Sequence, residues 1–288
     1  MQKQAILILA HKNNLVLRTV IEQFDSEYFD IYIHFDKKMV NNQLVKEIVN
    51  YAKRSKIVVI STQKVSWGAP SVMKAELDLL ELAYKSSNYK YFHLISGQDL
   101  ALKTAKKIYV FFNNSEKNFF EIKSINNKHY TNRIKYRYPW TEKIGKQHNF
   151  YWIMQKLFFY VQKAFCLTSN NEFEKCNKIV YSSQWASLTN EFVKSLIIHK
   201  NILNKIYRYS LVPDEIYKST FLYNYFQDKH YVNNNLRYDE FDGNSPKVIY
   251  SEKQAIELIN SSYFFARKFD ENQSKPAIEI IKKLTINI

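Results

Sequence analysis

The sequence predicts an α/β fold with a mostly parallel, Rossmann-like central sheet flanked by helices. Two observations point there. Short apolar runs alternate with segments of helical period along the first part of the chain, the pattern of strands joined by crossover helices. The 288 residues are 46% hydrophobic, enough to cover such a sheet on both faces and too apolar for a disordered chain.

The elements follow in order. Residues 5–10 (AILILA) read as a buried strand and 15–24 as a helix. Residues 31–35 (IYIHF) form a second strand, 43–53 a helix, and 57–60 (IVVI) a third strand. A helix over 70–84 carries Val72, Leu79, Leu80 and Ala83 at helical spacing, and 91–95 (YFHLI) is a fourth strand. Farther on, helices are expected near 150–165 and 214–226, short strands near 179–188 and 231–237, and a C-terminal helix over 271–288. No repeat, heptad array or Pro/Gly-rich linker divides the chain, so residues 1–288 are read as a single domain.

Polar residues just after the strands are the first site candidates, because strands of such sheets end at a common crevice. They are His11, Asp36, Ser61 and the run Ser96-Gly97-Gln98-Asp99. A net charge of +15 predicts partners that carry phosphate or another anion. Four glycines in all exclude a Gly-x-Gly-x-x-Gly fingerprint and a phosphate-cradling P-loop. No Gly-x-Ser-x-Gly elbow is present, and the two cysteines, Cys166 and Cys176, have no zinc spacing and are too few for a disulfide scaffold. A reducing, cytoplasmic setting is the expectation, with no apolar run long enough for a membrane span.

Several residue types carry two readings at this level. Asp36 either caps the turn after its strand or receives a nucleotide. Pro213-Asp214-Glu215 either stabilises a helix start, where the dipole favours negative charge, or presents a general base. Arg237 and Lys268 are either solvated charges or a pair that neutralises a diphosphate without a metal. Asp-x-Asp, the spacing that would hold a divalent ion against a diphosphate, is missing from the sequence.

Taken together, the ordered segments resemble the core-2/I-branching β-1,6-N-acetylglucosaminyltransferase family, which includes the peptide O-xylosyltransferases. The resemblance runs from about residue 5 to 270. It rests on the opening strand through His11, Ile33-His34-Phe35-Asp36, Val65-Ser66-Trp67-Gly68 with Ser71, and Tyr91 to Asp99 followed by Leu102-Lys103-Thr104. Ser183-Gln184-Trp185, Pro213-Asp214-Glu215, Leu236-Arg237-Tyr238 and Phe265 to Asp270 complete it.

This resemblance implies a GT-A-like single domain with a nucleotide-binding half over about 1–112, an acceptor and catalytic half over about 113–270, and a C-terminal helix beyond. It implies inverting transfer from a UDP-sugar donor, with no metal or other cofactor. Glu215 matches the base, Asp214 its orienting or capping neighbour on the acceptor side, and Arg237 and Lys268 the cations at the diphosphate. Asp36 matches the carboxylate that meets the nucleotide, with His11, Lys64, Trp67, Ser96 and Gly97 completing the donor side. Lys64 and Ser96 stand where animal members carry tyrosine and cysteine. Glu121, Arg133, Tyr136 and Trp185 fall on the acceptor side; Trp185 either stacks on a sugar or belongs to the core.

Missing disulfides and anchor point to a bacterial relative that builds surface polysaccharide or lipooligosaccharide. UDP-N-acetylglucosamine is the first donor expected, then UDP-xylose and UDP-galactose, with a glycan or lipid-linked glycan as acceptor. The basic charge predicts peripheral contact with anionic lipid at the inner face of the membrane. A basic nucleic-acid-binding protein is the alternative of another class. Basic residues spread along the chain and no RNA- or DNA-binding signature count against it, so no nucleic-acid partner is expected.

Overall fold

The computed structural model describes residues 1–167, 176–226, 230–243 and 245–286. Strand β1 (Gln4–Ala10) buries both of its faces. Ile6 and Ile8 enter one core cluster while Ala5 and Leu7 enter the other, as the two-residue period of a strand requires. Helix α1 (Leu15–Phe24) starts at Asn14, whose side chain accepts from the Leu17 amide at 2.9 Å. Then come β2 (Phe29–Phe35), α2 (Asn42–Val49), β3 (Ile57–Ile60), α3 (Pro70–Ser86) and β4 (Tyr91–Ser96). Asparagine also caps α2, through Asn41.

The middle of the chain supplies β5 (Leu100–Ala101), α4 (Ala105–Asn113), β6 (Asn118–Phe120), β7 (Ile122–Ile125), α5 (Lys128–Lys135), α6 (Thr141–Ile144) and α7 (Phe150–Ala164). After it come β8 (Val180–Ser182), β9 (Ser187–Thr189), α8 (Asn190–Ile198) and α9 (Lys200–Ile206). A short 3₁₀ turn, Pro213–Glu215, precedes α10 (Tyr217–Asn224). The chain continues through β10 (Tyr231–Asn233), β11 (Arg237–Asp239), β12 (Phe241–Asp242), β13 (Ser245–Pro246), α11 (Glu252–Asn260), β14 (Phe265–Arg267) and α12 (Lys275–Ile286). Of the expected C-terminal helix, residues 287–288 lie outside the described residues.

Among the described residues the main sheet has seven strands in the order β10-β6-β9-β4-β1-β2-β3. The β1–β2, β2–β3, β1–β4 and β6–β10 pairs are parallel, and β9 runs against both β4 and β6. The expected α/β fold with a mostly parallel central sheet flanked by helices is therefore the observed one. Residues from both expected halves share this sheet.

Two consequences position the site. The chain leaves β1 toward β2 and β3, then crosses back to β4 on the other side, so the strand order reverses at β1 and opens a crevice at the carboxyl ends of β1 and β4. Gly97 closes its floor: its amide donates to the Leu9 carbonyl at 2.9 Å, and a Cβ there would meet the Ala10 Cβ at 3.3 Å. A smaller sheet, β11-β14-β5, stands beside the crevice and carries the residues after Arg267 into it.

Candidate active site

Three lysines gather around His11 beside the crevice. His11 and Lys12 follow β1, Lys268 follows β14, and Lys146 lies between α6 and α7. Their mutual influence is visible in their protonation. Desolvation first, then Lys12 and Lys146, holds the His11 imidazole below its ordinary value, with Asp36 opposing and Lys268 adding to the effect. Burial, then Lys146 and Arg267, lowers the Lys268 ammonium, with Asp270 opposing and Lys12 adding. Like charges crowded in this way favour an anion that would relieve them, and a diphosphate supplies that charge. Lys12, Lys146 and Arg267 were not among the expected site residues. The neighbouring Arg267-Lys268 pair was a local signal for Arg267, but nothing in the sequence spacing brings Lys146 to His11.

Arg237 does not join that cluster as expected. Its guanidinium is buried and donates to the carbonyls of Ala186 at 2.9 Å and Leu94 at 3.2 Å, to the Ser187 hydroxyl at 3.2 Å and to the Asn235 carbonyl. It also lies 4.7 Å from the Phe265 ring centroid. Burial pushes its pKa down to about 9, with Asp99 and Asp239 opposing. The Ala186 carbonyl also accepts from the Leu94 amide at 3.0 Å, so Arg237 braces the β4–β9 junction from inside.

Asp36 Oδ1 accepts from the Lys38 amide at 3.0 Å and the Val65 amide at 3.4 Å, so the turn-capping reading is realised for that oxygen. Ser96 is similarly committed. Its hydroxyl donates to Asp99 Oδ1 at 2.5 Å and its amide to Asp99 Oδ2 at 2.8 Å, closing the turn after β4. Lys64 is exposed on the loop before α3, and Trp67 on the same loop is 57% exposed. An aromatic ring left in solvent at the mouth of a polar crevice is suited to stack on a sugar or base. Trp185 is the opposite case and corrects the stacking expectation: it is 5% exposed in the core, and the Arg267 guanidinium sits 4.7 Å from its ring centroid.

Glu215 is presented by a stiff local construction. Val212 adopts the left-handed region at φ 50°, ψ 53°, a strained conformation for a β-branched residue, costing about 1–3 kcal/mol. Its amide donates to the Gly68 carbonyl at 2.7 Å, and the Leu211 amide to the Arg133 carbonyl at 2.8 Å. Gly68 is itself at φ 72°, where a Cβ would be strained and would touch Val212 Cγ2 at 3.4 Å. These bonds tie the turn to the Trp67 loop and to the end of α5. Arg133 Nη1 then meets Glu215 Oε2 at 2.9 Å, both side chains remaining partly exposed. Tyr130 and Tyr181 stack with centroids 3.6 Å apart, and the Arg133 guanidinium lies 4.9 Å from the Tyr130 centroid. Arg133 thus positions Glu215 instead of standing apart on the acceptor side.

Asp214 and Glu215 diverge although adjacent. The expected helix start is a separate 3₁₀ turn, and Asp214 makes no side-chain cap bond. Asp214 is buried with Oδ1 unpartnered, so the capping role is corrected. Burial, then Glu215 and Glu76, pushes its carboxyl up to about 8, with Lys218 opposing. A protonated, neutral acid explains why such a group is tolerated there. Beneath it, Glu76 of α3 accepts from Gln184 at 2.6 Å, Tyr217 at 2.8 Å and Lys218 at 2.6 Å, and Lys218 also donates to the Asp214 carbonyl at 3.2 Å. This buried network anchors the turn, and sequence reasoning missed it because its members are spread from residue 76 to 218.

The remaining acceptor residues are not brought together. Glu121 follows β6 in a cleft of about 440 Å³ that Arg237, Asp239, Glu240 and Tyr263 also line. Tyr136 lines a separate, basic cleft of about 160 Å³ with Arg137, Lys205 and Arg208. Base and cations, by contrast, are connected: the Glu215 turn holds the Trp67 loop, Ser66 Oγ on that loop donates to the Glu142 carbonyl at 2.8 Å, and Glu142 Oε1 accepts from the Ser71 amide at 2.9 Å. Glu142 belongs to α6, which leads directly to Lys146.

A partly exposed carboxylate, an exposed aromatic ring and a group of cations are thus linked through the 66–71 loop and α6. The chain belongs to the Core-2/I-Branching enzyme family, whose model matches residues 5–262. It is 23% identical to xylosyltransferase 2 of Mus musculus over 92% of this chain and 31% of that protein. Xylosyltransferase 2 of Rattus norvegicus is also 23% identical, over 90% and 30%. The chain thus spans about a third of the length of these curated relatives. Among solved structures, Staphylococcus aureus TarS 1-349 in complex with UDP is similar at 16% identity and a TM-score of 0.29, covering 43% of this chain and 37% of that one.

Proposed function

We propose that the protein transfers a sugar from a UDP-sugar to a hydroxyl of a glycan acceptor with inversion at the anomeric carbon. Glu215 takes the acceptor proton as the oxygen attacks; the bond from the anomeric carbon to the diphosphate breaks, and UDP leaves with the negative charge. Lys268, Lys146, Lys12 and Arg267 receive that charge, a metal-independent arrangement in which fixed cations stabilise the leaving group. The observation that carries this reading is the group of Lys12, Lys146 and Lys268 around His11, linked through α6 and the 66–71 loop to a partly exposed carboxylate held at 2.9 Å by Arg133.

N-acetylglucosamine is the first donor sugar proposed and galactose a third. Xylose gains support from the xylosyltransferase relatives. A bacterial surface polysaccharide or lipooligosaccharide is the acceptor class we favour, with transfer in the cytoplasm. The test is release of UDP from a panel of UDP-sugars with EDTA present, first as slow hydrolysis and then with glycan acceptors. Turnover that survives EDTA supports the metal-independent reading; turnover abolished by EDTA and restored by a divalent ion overturns it. Failure to turn over or bind any UDP-sugar overturns the donor class.

A further inference from the structure

Helix α7 is built inside out. Its buried positions are Gln155 and Gln162, one heptad apart. Gln162 Oε1 accepts from the Arg137 amide at 2.9 Å and its Nε2 donates to the Arg137 carbonyl at 3.0 Å, while Gln155 Oε1 accepts from the Trp140 amide at 3.2 Å. Polar side chains thus bolt the helix to the 137–140 segment by main-chain bonds. On the opposite side Phe150, Ile153, Leu157 and Tyr160 are 68, 59, 67 and 62% exposed, and Val161 is exposed with them. At 3.6 residues per turn these five fall within an arc of roughly 100°, the width of a helix face that ordinarily meets a core. Solvated single apolar residues need no explanation, but a continuous stripe of this kind does.

Charge decides between the occupants of such a face. The helix contains no acidic residue, and Lys156 and Lys163 lie along one margin of the apolar stripe. Lys143 and Lys146 precede it in a chain of net charge +15. A second copy docking through the same stripe would bring these lysines and two strongly positive molecules together without a carboxylate on either helix to pair them. An anionic bilayer meets both demands at once, taking the apolar and aromatic side chains at the depth of the acyl boundary and the lysines among its headgroups. Fifteen residues rise only about 22 Å, short of the roughly 30 Å hydrocarbon core, so the helix can lie in the interface but not cross it. No helix among the described residues is long and apolar enough to cross.

We infer that α7 is an interfacial anchor that seats the protein on an anionic lipid surface through Phe150, Ile153, Leu157, Tyr160 and Val161, with Lys156 and Lys163 reading the headgroup charge. Lys146, three residues before the helix cap Asn149, belongs to the cation cluster of the active site, so docking holds that cluster beside the headgroups. The anchor stands independently of which sugar is transferred.

The test is co-sedimentation of the whole protein with vesicles of phosphatidylcholine alone and of phosphatidylcholine with phosphatidylglycerol, at low salt. The wild type should sediment with the anionic vesicles. Ile153→Ser combined with Leu157→Ser should weaken this by about tenfold or more, since two exposed apolar side chains lose their transfer into lipid, and should leave UDP-sugar hydrolysis in solution unchanged. Wild-type protein that stays in the supernatant overturns the inference, as does a double variant that binds as well as wild type, because charge elsewhere would then suffice. A wild-type dimer in sedimentation velocity that the double variant abolishes also overturns it, in favour of a second copy on this face. Should the double variant fold poorly, Leu157→Trp with brominated lipid decides alone: quenching beyond that of the wild-type tryptophans supports insertion at residue 157, and its absence refutes it.

Discussion

Replacing Glu215 by glutamine separates taking a proton from holding a position. The pair with Arg133 is 2.9 Å long but its side chains are 18 and 32% exposed, so screening keeps its worth within about 0.2–1 kcal/mol. A glutamine carbonyl oxygen can still accept from Arg133, and the turn itself is fixed by main-chain bonds to Gly68 and Arg133, which the substitution leaves alone. The structural cost of Glu215→Gln is therefore well under 1 kcal/mol by the same reckoning. The chemical cost is larger: losing a general base slows transfer by about 10²- to 10⁴-fold, or roughly 3–5 kcal/mol on the barrier. Measured as product formed on a glycan acceptor, kcat should fall by that factor, while UDP affinity by calorimetry should change less than about twofold. Transfer at the wild-type rate would refute the assignment of the base. A parallel loss of UDP affinity would instead show that Glu215 shapes the donor site.

Three further outcomes follow from the same geometry. Lys268→Ala should lower kcat/KM for the donor by about 10- to 100-fold without moving the melting temperature appreciably, because it removes one cation from a crowded group; unchanged donor kinetics would dissolve the proposed diphosphate site. Arg237→Met should instead lower stability by about 3 kcal/mol in urea melts, since carbonyls of Leu94 and Ala186 lose a buried charged donor, and wild-type stability with weakened donor binding would return Arg237 to the expected role. For Asp214 the sign is set by its raised pKa: between the unfolded value near 3.9 and about 8 the folded chain keeps a proton that the unfolded chain has lost, so its contribution is full at acid pH and falls by about 1.4 kcal/mol per unit as pH rises. Asp214→Asn should therefore match the wild type near pH 4, within about 1 kcal/mol, and exceed it increasingly toward pH 8, and parallel stability profiles would show that Asp214 is not held protonated.

Local periodicity was enough for the N-terminal sheet. The expected helix over 15–24 and strand over 57–60 have the observed bounds, because apolar spacing and caps lie within each segment. Long-range capture explains the misses. The helix expected to reach residue 53 stops at Val49 because Asp25, on another element, takes the amides of Lys53, Arg54 and Ser55 at 2.6–2.9 Å. The strand expected over 179–188 splits at Ser182 because β8 pairs with β7 while β9 joins the main sheet. The helix expected from 214 divides because the left-handed Val212 and the buried Lys218–Glu76 pair turn Asp214 inward.

The site was legible to the extent that a strand end or a motif announces a position, and illegible wherever orientation decides. Arg237 opens β11 and Arg267 ends the neighbouring parallel strand β14, yet one guanidinium serves buried carbonyls and the other lies over the Trp185 ring. No residue count distinguishes them. Helix α7 makes the same point in reverse, since apolar spacing defines its stripe while two glutamines, through bonds to residues 137 and 140, decide that the stripe faces out. Orientation here follows the main-chain groups that each side chain bonds, those of Leu94 and Ala186 in one case and of Arg137 and Trp140 in the other. Such bonds arise only after the sheet has formed. Thus Arg237 is retained inside while Lys268 and Lys146 stay beside the crevice, and side chains that sequence alone makes alike are sorted by the main-chain groups around them.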